Sequence, residues 1–112
     1  MPALLIEANN YASSLVKLER FEEAKALLRR TIPVTLRVLR HSNHITLRMR
    51  KVYAKTLYLD SAATLHDLRE AVTTVEDLTR TARRVLGGAH PLTVDIEGDL
   101  QKARAALRAR ET

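Results

Sequence analysis

Residues 21–39 read FEEAKALLRRTIPVTLRVL, and this stretch decides the fold. It returns in degenerate form as LREAVTTVEDLTRTARRVL at residues 68–86, which is an offset of 47 residues from the first copy. Glu23-Ala24 in the first copy matches Glu70-Ala71 in the second. A helical segment that recurs at a fixed period is typical of a repeat array, in which each unit buries its apolar face against its neighbours. The recurrence therefore predicts a helical repeat protein.

Length and composition bound the possibilities. The 112 residues are the size of one domain, and we expect residues 1–112 to fold as a single unit. The chain carries 19 Lys and Arg against 13 Asp and Glu, and this net charge of +6 favours acidic partners. There is no cysteine, so disulfides, thiolate metal sites and a cysteine nucleophile are excluded. No apolar run approaches the roughly 20 residues of a membrane span, and the chain does not open on a signal peptide. We expect a cytoplasmic protein with no membrane partner.

Apolar residues recur at steps of three and four along most of the chain, which predicts helices and no strands. In the first helix we expect one buried stripe, which consists of Leu4, Ala8, Tyr11, Leu15 and Leu18. In the second helix Pro33 removes a backbone hydrogen bond, so we expect either a kink or a split into two helices. The five predicted helices are Ala3–Leu18, Phe21–Leu39, Ile45–Leu59, Leu65–Leu86 and Pro91–Arg110.

The predicted helix ends carry capping signals. Asn43 is a candidate N-cap, and Thr64 with Asp67 resembles a capping box. Gly87-Gly88 should end the fourth helix, and Pro91 is favoured in the first turn of the fifth. Connections this short leave neighbouring helices antiparallel. A bundle and a solenoid both satisfy that pattern, and the internal repeat favours an all-α solenoid of stacked hairpins.

The pattern NNYASSL…RFEEAKALLRR, followed by YAKTLY…LREA…ARRVLGGAHPLT, resembles tetratricopeptide (TPR) repeats of the kinesin-light-chain type over about residues 6–105. The linker VLGGAHP is the most specific piece of this resemblance. It implies a short right-handed solenoid of about two and a half repeats, with repeat 1 at about 3–41, repeat 2 at about 44–88 and a terminal half repeat at about 91–110. It also implies a small residue where two helices cross, which is Ala12 or Ala54 in the first helix of each repeat. In the second helices it implies an aromatic, a small and a large apolar residue at fixed steps, at the positions of Phe21, Ala24 and Leu28 and of Leu68, Ala71 and Val75.

The same resemblance implies an extended peptide on the concave face formed by the first helix of each repeat. The positions carried over are Asn9, Asn10, Ser13, Lys17, Arg48, Lys51, Lys55, Tyr58, Glu97, Gln101 and Arg104. Four of these residues, Arg48, Lys51, Lys55 and Tyr58, also share one helical face by their spacing. Three cations with an aromatic ring suit an acidic or phosphorylated peptide. A merely solvated basic face explains the pattern equally well.

A second hypothesis is a structural subunit. Repeat arrays usually need about three units for stability. The chain is therefore either part of a longer array or covers its exposed ends by self-association as a homo-oligomer. The apolar end helices, near Ala3–Tyr11 and Leu92–Leu107, are the expected interface.

Other functions lack support in the sequence. The arginine clusters, which are Arg29, Arg30, Arg37, Arg40, Arg80, Arg83 and Arg84, fall in the C-terminal halves of helices, where cations stabilise the macrodipole, so we do not expect nucleic-acid binding. His41 and His44 have no further metal ligands nearby. No carboxylate pair, glycine elbow or phosphate loop is present for catalysis. We therefore expect a non-catalytic protein without cofactor or metal.

Overall fold

The computed structural model describes residues 2–112, with side chains from Ala3 onward. Within this range the chain forms five α-helices and no strand: α1 (Pro2–Lys17), α2 (Phe21–Val38), α3 (His44–Tyr58), α4 (Leu65–Leu86) and α5 (Pro91–Glu111). Each bound lies within one residue of the predicted one. The prediction of an all-helical chain with five helices is confirmed.

The predicted caps form as hydrogen bonds. Asn43 Oδ1 accepts from the Ile45 backbone N–H at 2.8 Å. Thr64 and Asp67 make both halves of the capping box, each at 3.0 Å. Gly87 ends α4 with φ of 90°, a region that favours glycine. His90 Nδ1 then accepts from the Leu92 backbone N–H at 3.0 Å to cap α5.

One residue in the turn between α1 and α2 has a left-handed backbone conformation, although the turn contains no glycine. Glu19 has φ of 58°. Its N–H donates to the Val16 carbonyl at 2.9 Å, and the Arg20 N–H donates to the Leu15 carbonyl at 2.8 Å. This pair of bonds is the Schellman pattern, in which glycine usually occupies the left-handed position.

Helix α2 runs without interruption through Pro33, so the split that the sequence left open does not occur. The proline ring lies on an exposed side of the helix. Thr31 and Thr35 on either side donate their hydroxyls to the carbonyls four residues earlier, at 2.7 and 3.0 Å. Neither bond reaches the Arg29 carbonyl, which is the acceptor that loses its N–H partner at Pro33.

The helices form two layers. Each helix packs against its sequence neighbours, while α3 also contacts both α1 and α5; α2 and α4 do not contact each other. Helix α3 thus touches all four others and is buried on most of its surface. The radius of gyration is 13.4 Å, close to the roughly 13 Å of a globular domain of this length.

The small residues that the TPR resemblance singles out are buried between the helices. Ala12, Ala24, Ala54 and Ala71 are fully buried, as the repeat pattern predicts. Leu28 and Val75, which follow the alanines on α2 and α4, are also fully buried. An alanine at such a crossing lets two helix backbones approach closely, while the larger neighbour fills the space beside it.

The predicted buried face of α1 is wrong for three of its five residues. Leu4, Tyr11 and Leu18 are 63%, 57% and 65% exposed, whereas the predicted Leu15 is buried together with Leu5 and Ala12. Helix α1 is apolar on two sides, and it packs only against α2 and α3. The side turned away from them therefore stays uncovered.

Candidate functional site

A basic groove lies between α1, α3 and the start of α5. Its volume is about 240 Å³. Residues spaced at three and four share a helix face, which is why each helix contributes a run of side chains to one wall. The lining consists of Asn9, Asn10 and Ser13 from α1, Arg48, Lys51, Val52 and Lys55 from α3, and Leu92 and Asp95 from α5. Six of the predicted site residues are thus brought together.

A second cavity of about 270 Å³ continues the groove toward the start of α3. It shares Asn9, Asn10 and Arg48 with the first and adds an apolar portion, formed mainly by Ile6 and Ile45 together with His44. The sequence analysis missed these residues. Their signal was the helical spacing, since Ile6 precedes Asn9 by three and Ile45 precedes Arg48 by three.

Several polar groups in the groove have no partner within residues 2–112. Arg48 and Lys55 form no ion pair and no side-chain hydrogen bond there, and neither do the amides of Asn9 and Asn10. The Oδ1 atom of Asn9 is buried without a hydrogen bond. Buried polar atoms are nearly always satisfied, so an unpaired one beside unpaired cations indicates a surface that suits a polar ligand.

Behind the lining lies a buried charge cluster. Asp99 on α5 is 3% exposed, and its Oδ1 accepts a hydrogen bond from the Tyr58 hydroxyl at 2.5 Å. The Lys51 ammonium lies 3.1 Å from Oδ2, as an ion pair without an aligned hydrogen bond. A buried carboxylate is costly unless it is paired. Burial, with the bond to Asp99, raises the pKa of Tyr58 well above its ordinary value.

The surroundings of Lys55 lower the pKa of its amine. Partial burial lowers the pKa of its amine, and the positive charge of Lys51 lowers it further. Asp99 opposes this effect, while Lys102 adds to it. Two ammonium groups one helical turn apart repel, and burial disfavours the charged form.

Five predicted site residues lie outside the groove lining. Tyr58 is 7% exposed and held by Asp99, so the expected contact between its ring and a ligand is wrong. Arg104 turns toward α4, where it donates to Glu76 at 3.1 Å, because another face of α5 meets the groove. Glu97 also faces α4, where its carboxylate accepts a hydrogen bond from Arg83. Lys17 and Gln101 are exposed but do not line the groove.

Three of the seven clustered arginines, Arg29, Arg80 and Arg83, make contacts with other side chains. Arg29 donates to the Tyr53 hydroxyl at 3.3 Å, and Tyr53 in turn donates to Glu70 at 2.7 Å, which links α2, α3 and α4. Arg80 lies 3.6 Å from Asp77, and Arg83 pairs with Glu97. These contacts give the arginines a role within the fold.

Within residues 2–112, no three or more His, Cys, Asp or Glu side chains gather where they could hold a metal ion. None of the helices in this same range combines the length and the apolar character needed to cross a membrane. The described surface therefore offers the basic groove and the uncovered face of α1 as its two distinctive features.

Comparison with known proteins gives no relative: the sequence matches no family model, no curated protein and no solved structure. Function has to be inferred from the groove and the exposed faces themselves.

Proposed function

We propose that the protein is a non-catalytic protein–protein interaction module that binds a short acidic or phosphorylated peptide segment in the basic groove. One observation carries this proposal. Arg48 and Lys55 are unpaired within the described chain and line the same groove as the unpaired amides of Asn9 and Asn10. A ligand that brings carboxylates or a phosphate would supply the missing partners.

The chemistry of the groove favours an anionic peptide. Three cations line it against one carboxylate, that of Asp95. Charge-assisted hydrogen bonds from Arg and Lys are stronger than neutral ones, and the guanidinium of Arg48 can bind a carboxylate or phosphate through two parallel bonds. The amides of Asn9 and Asn10 can each donate to a peptide carbonyl and accept from a peptide N–H. The net charge of +6 would steer an acidic segment toward the chain.

The packing supports a short right-handed, TPR-like solenoid as the framework for this groove. In such a solenoid the first helices of successive hairpins line one surface. Helices α1, α3 and α5 contact one another in succession, and α2 and α4 stay apart. Two and a half repeats of this kind would present α1, α3 and α5 to the peptide. A reducing cytoplasmic compartment suits a chain without cysteine.

The test is binding of a fluorescein-labelled octapeptide of alternating Glu and Ser, and of its phosphoserine form, followed by anisotropy. We expect binding that weakens with salt and is lost in the double variant Arg48→Glu, Lys55→Glu. The matched control is Arg40→Glu, Arg84→Glu, two exposed arginines without ion pairs in the described chain and outside the groove. Circular dichroism is used to check that both variants fold. Equal loss in the control, or no binding by the parent chain, would overturn the proposal.

The uncovered face of α1 favours a second candidate, self-association. Leu4, Tyr11 and Leu18 recur every seven residues on this face. A groove of about 240 Å³ runs beside them between α1 and α2, lined by Tyr11, Leu15, Glu23, Ala26, Leu27 and Arg30. Helix α5 lies at the opposite end. Among its large apolar side chains only Val94, at 53%, is exposed.

This difference between the two ends favours contact between like faces. A head-to-tail array would need an apolar surface at both ends, whereas a two-fold dimer uses the same patch twice. Glu23, which pairs with Arg20 at 2.7 Å, and Arg30 both line the α1–α2 groove and lie seven residues apart on α2. An antiparallel pair of copies would therefore set Glu23 of one against Arg30 of the other.

A further inference from the structure

Lys55 stands apart from the four other lysines of the chain. Lys25 is paired with Glu22 at 2.9 Å, and Lys51 with Asp99 at 3.1 Å. Lys17 and Lys102 are exposed. Lys55 is half-buried, lines the basic groove and has no ion pair within residues 2–112. It combines access to a cavity with an environment that disfavours its charge.

We propose that Lys55 is a reactive amine that forms a Schiff base with small carbonyl compounds bearing an anionic group. The cavity beside it, of about 240 Å³, has room for such a molecule. Arg48 lines the same cavity from the same helix, and it can bind the anionic group of the ligand while the carbonyl carbon of the ligand meets Lys55 Nζ. Arg48 and Lys55 lie seven residues apart, two turns on one face of α3.

The surroundings of Lys55 support its nucleophilicity. Only the neutral amine attacks a carbonyl, and desolvation or a neighbouring cation raises the neutral fraction. Burial and the adjacent Lys51 both lower the pKa of Lys55, and Lys102 acts in the same direction. Asp99 opposes them from α5, but it is already bonded to Tyr58 and paired with Lys51. Helix α5 also places the carboxylate of Asp95 in the lining, and helix α1 contributes only the neutral side chains of Asn9, Asn10 and Ser13.

The reaction is a condensation that needs no redox partner. The lone pair of neutral Lys55 Nζ forms a bond to the carbonyl carbon, and one proton moves from the nitrogen to the carbonyl oxygen to give a neutral carbinolamine. The nitrogen lone pair then forms a double bond to carbon as the C–O bond breaks, and the oxygen leaves as water with a second proton, taken from solvent. The products are a protonated Schiff base on Lys55 and one water molecule. This chemistry uses the groove but does not rest on peptide binding.

The experiment is reductive trapping on the full chain with glyoxylate and cyanoborohydride, between pH 6.5 and 9, with each lysine quantified by peptide mass spectrometry. We expect Lys55 to be labelled several-fold faster than Lys17 and Lys102, with a rate that rises at lower pH than theirs. Propanal, which lacks the anionic group, should show a smaller preference for Lys55. The Arg48→Gln variant should reduce the glyoxylate preference to that of propanal.

Two variants separate the effect of charge from that of access. Lys51→Gln removes the neighbouring cation and should bring the Lys55 rate toward that of Lys102, whereas Lys51→Arg keeps the cation and should retain the advantage. Circular dichroism is the check that both variants are folded. A Lys55 rate no higher than that of Lys17 and Lys102, or equal rates in the two folded Lys51 variants, would overturn this inference. Peptide binding by a chain with an unreactive Lys55 would leave the proposed function intact.

Discussion

The Lys51 ammonium lies 3.1 Å from the buried carboxylate of Asp99, and this ion pair joins α3 to α5 directly behind the basic groove. The two partners differ in their access to water, since 16% of the Lys51 side chain is exposed and 4% of that of Asp99. Lys51 also lines the groove, so the same contact that fixes α5 sets the position of one groove cation.

Because Asp99 is more deeply buried than Lys51, we expect the loss of either side chain to lower the free energy of unfolding by a different amount. Lys51→Met leaves a carboxylate with little access to water, and we expect a loss of about 2–4 kcal/mol in the free energy of unfolding. Asp99→Asn leaves a lysine that can turn toward solvent, so we expect about 1–2 kcal/mol. Urea denaturation measures both. Asp95→Asn, an exposed change on the same helix, should stay within about 0.5 kcal/mol. A larger loss for Asp99→Asn than for Lys51→Met would contradict the role assigned to the pair.

The capping box of α4 predicts a pH dependence of stability. The hydrogen bond from the Thr64 backbone N–H holds the pKa of Asp67 below its usual value, with smaller help from Lys25 and Arg29. Because folding lowers this pKa, the stabilisation is complete above the ordinary value near 4 and disappears as the pH falls through the folded-state value.

Asp67→Asn should therefore cost about 0.5–1 kcal/mol at pH 7, and the difference from the parent chain should shrink below about pH 4. Urea midpoints measured from pH 7 to pH 3 test this. The mutant Asp60→Asn, which changes a loop carboxylate outside the box, serves as the control. A difference that stays constant down to pH 3 would show that charge at Asp67 plays no part in the cap.

The left-handed residue between α1 and α2 predicts a stabilising substitution. Glu19 has φ of 58°, a conformation that costs residues other than glycine roughly 1 kcal/mol. Glu19→Gly should raise the free energy of unfolding by about 0.5–1 kcal/mol, because the gain at this turn exceeds the extra flexibility of the unfolded chain. Glu22→Gly, inside α2, should lower it. If both glycine variants are destabilised equally, Glu19 carries no strain.

The exposed stripe of α1 predicts concentration-dependent assembly. Light scattering coupled to size exclusion should show the chain moving from monomer to dimer as its concentration rises. Tyr11→Glu, in the middle of the stripe, should abolish the dimer, and Val94→Glu on α5 should leave it unchanged. A monomer at every concentration would contradict self-association through this face.

Local signals in the sequence predicted the helices well. Asn43, Thr64 with Asp67, and Gly87 act on the residues next to them, so their effect can be inferred without knowing the fold. The burial of Ala12, Ala24, Ala54 and Ala71 was expected from the resemblance to TPR repeats. The same resemblance named the three cations and the three small polar residues that line the groove.

Orientation that depends on distant contacts was not predictable. Helix α1 is apolar on two sides, and only the packing of α2 and α3 decides that Leu5 is covered and Leu4 is not. The rotation of α5 brings Asp99 inward to meet Lys51 and Tyr58, the latter 41 residues away along the chain. A hydrophobic pattern places an aspartate on the outside, so it gives no sign that Asp99 is buried. The α5 positions carried over from the TPR resemblance, Glu97, Gln101 and Arg104, do not line the groove.

The most direct measurement is a titration of the ¹⁵N-labelled chain with the phosphoserine octapeptide, followed by amide chemical shifts. Binding in the basic groove predicts the largest shifts at Asn9, Asn10, Ser13, Arg48, Lys51 and Lys55, with little change at the exposed stripe of α1. The same titration of the Arg48→Glu, Lys55→Glu variant should leave the spectrum unchanged. Shifts centred on Tyr11 and Leu18, or scattered over the arginines at the helix ends, would contradict the groove as the binding site.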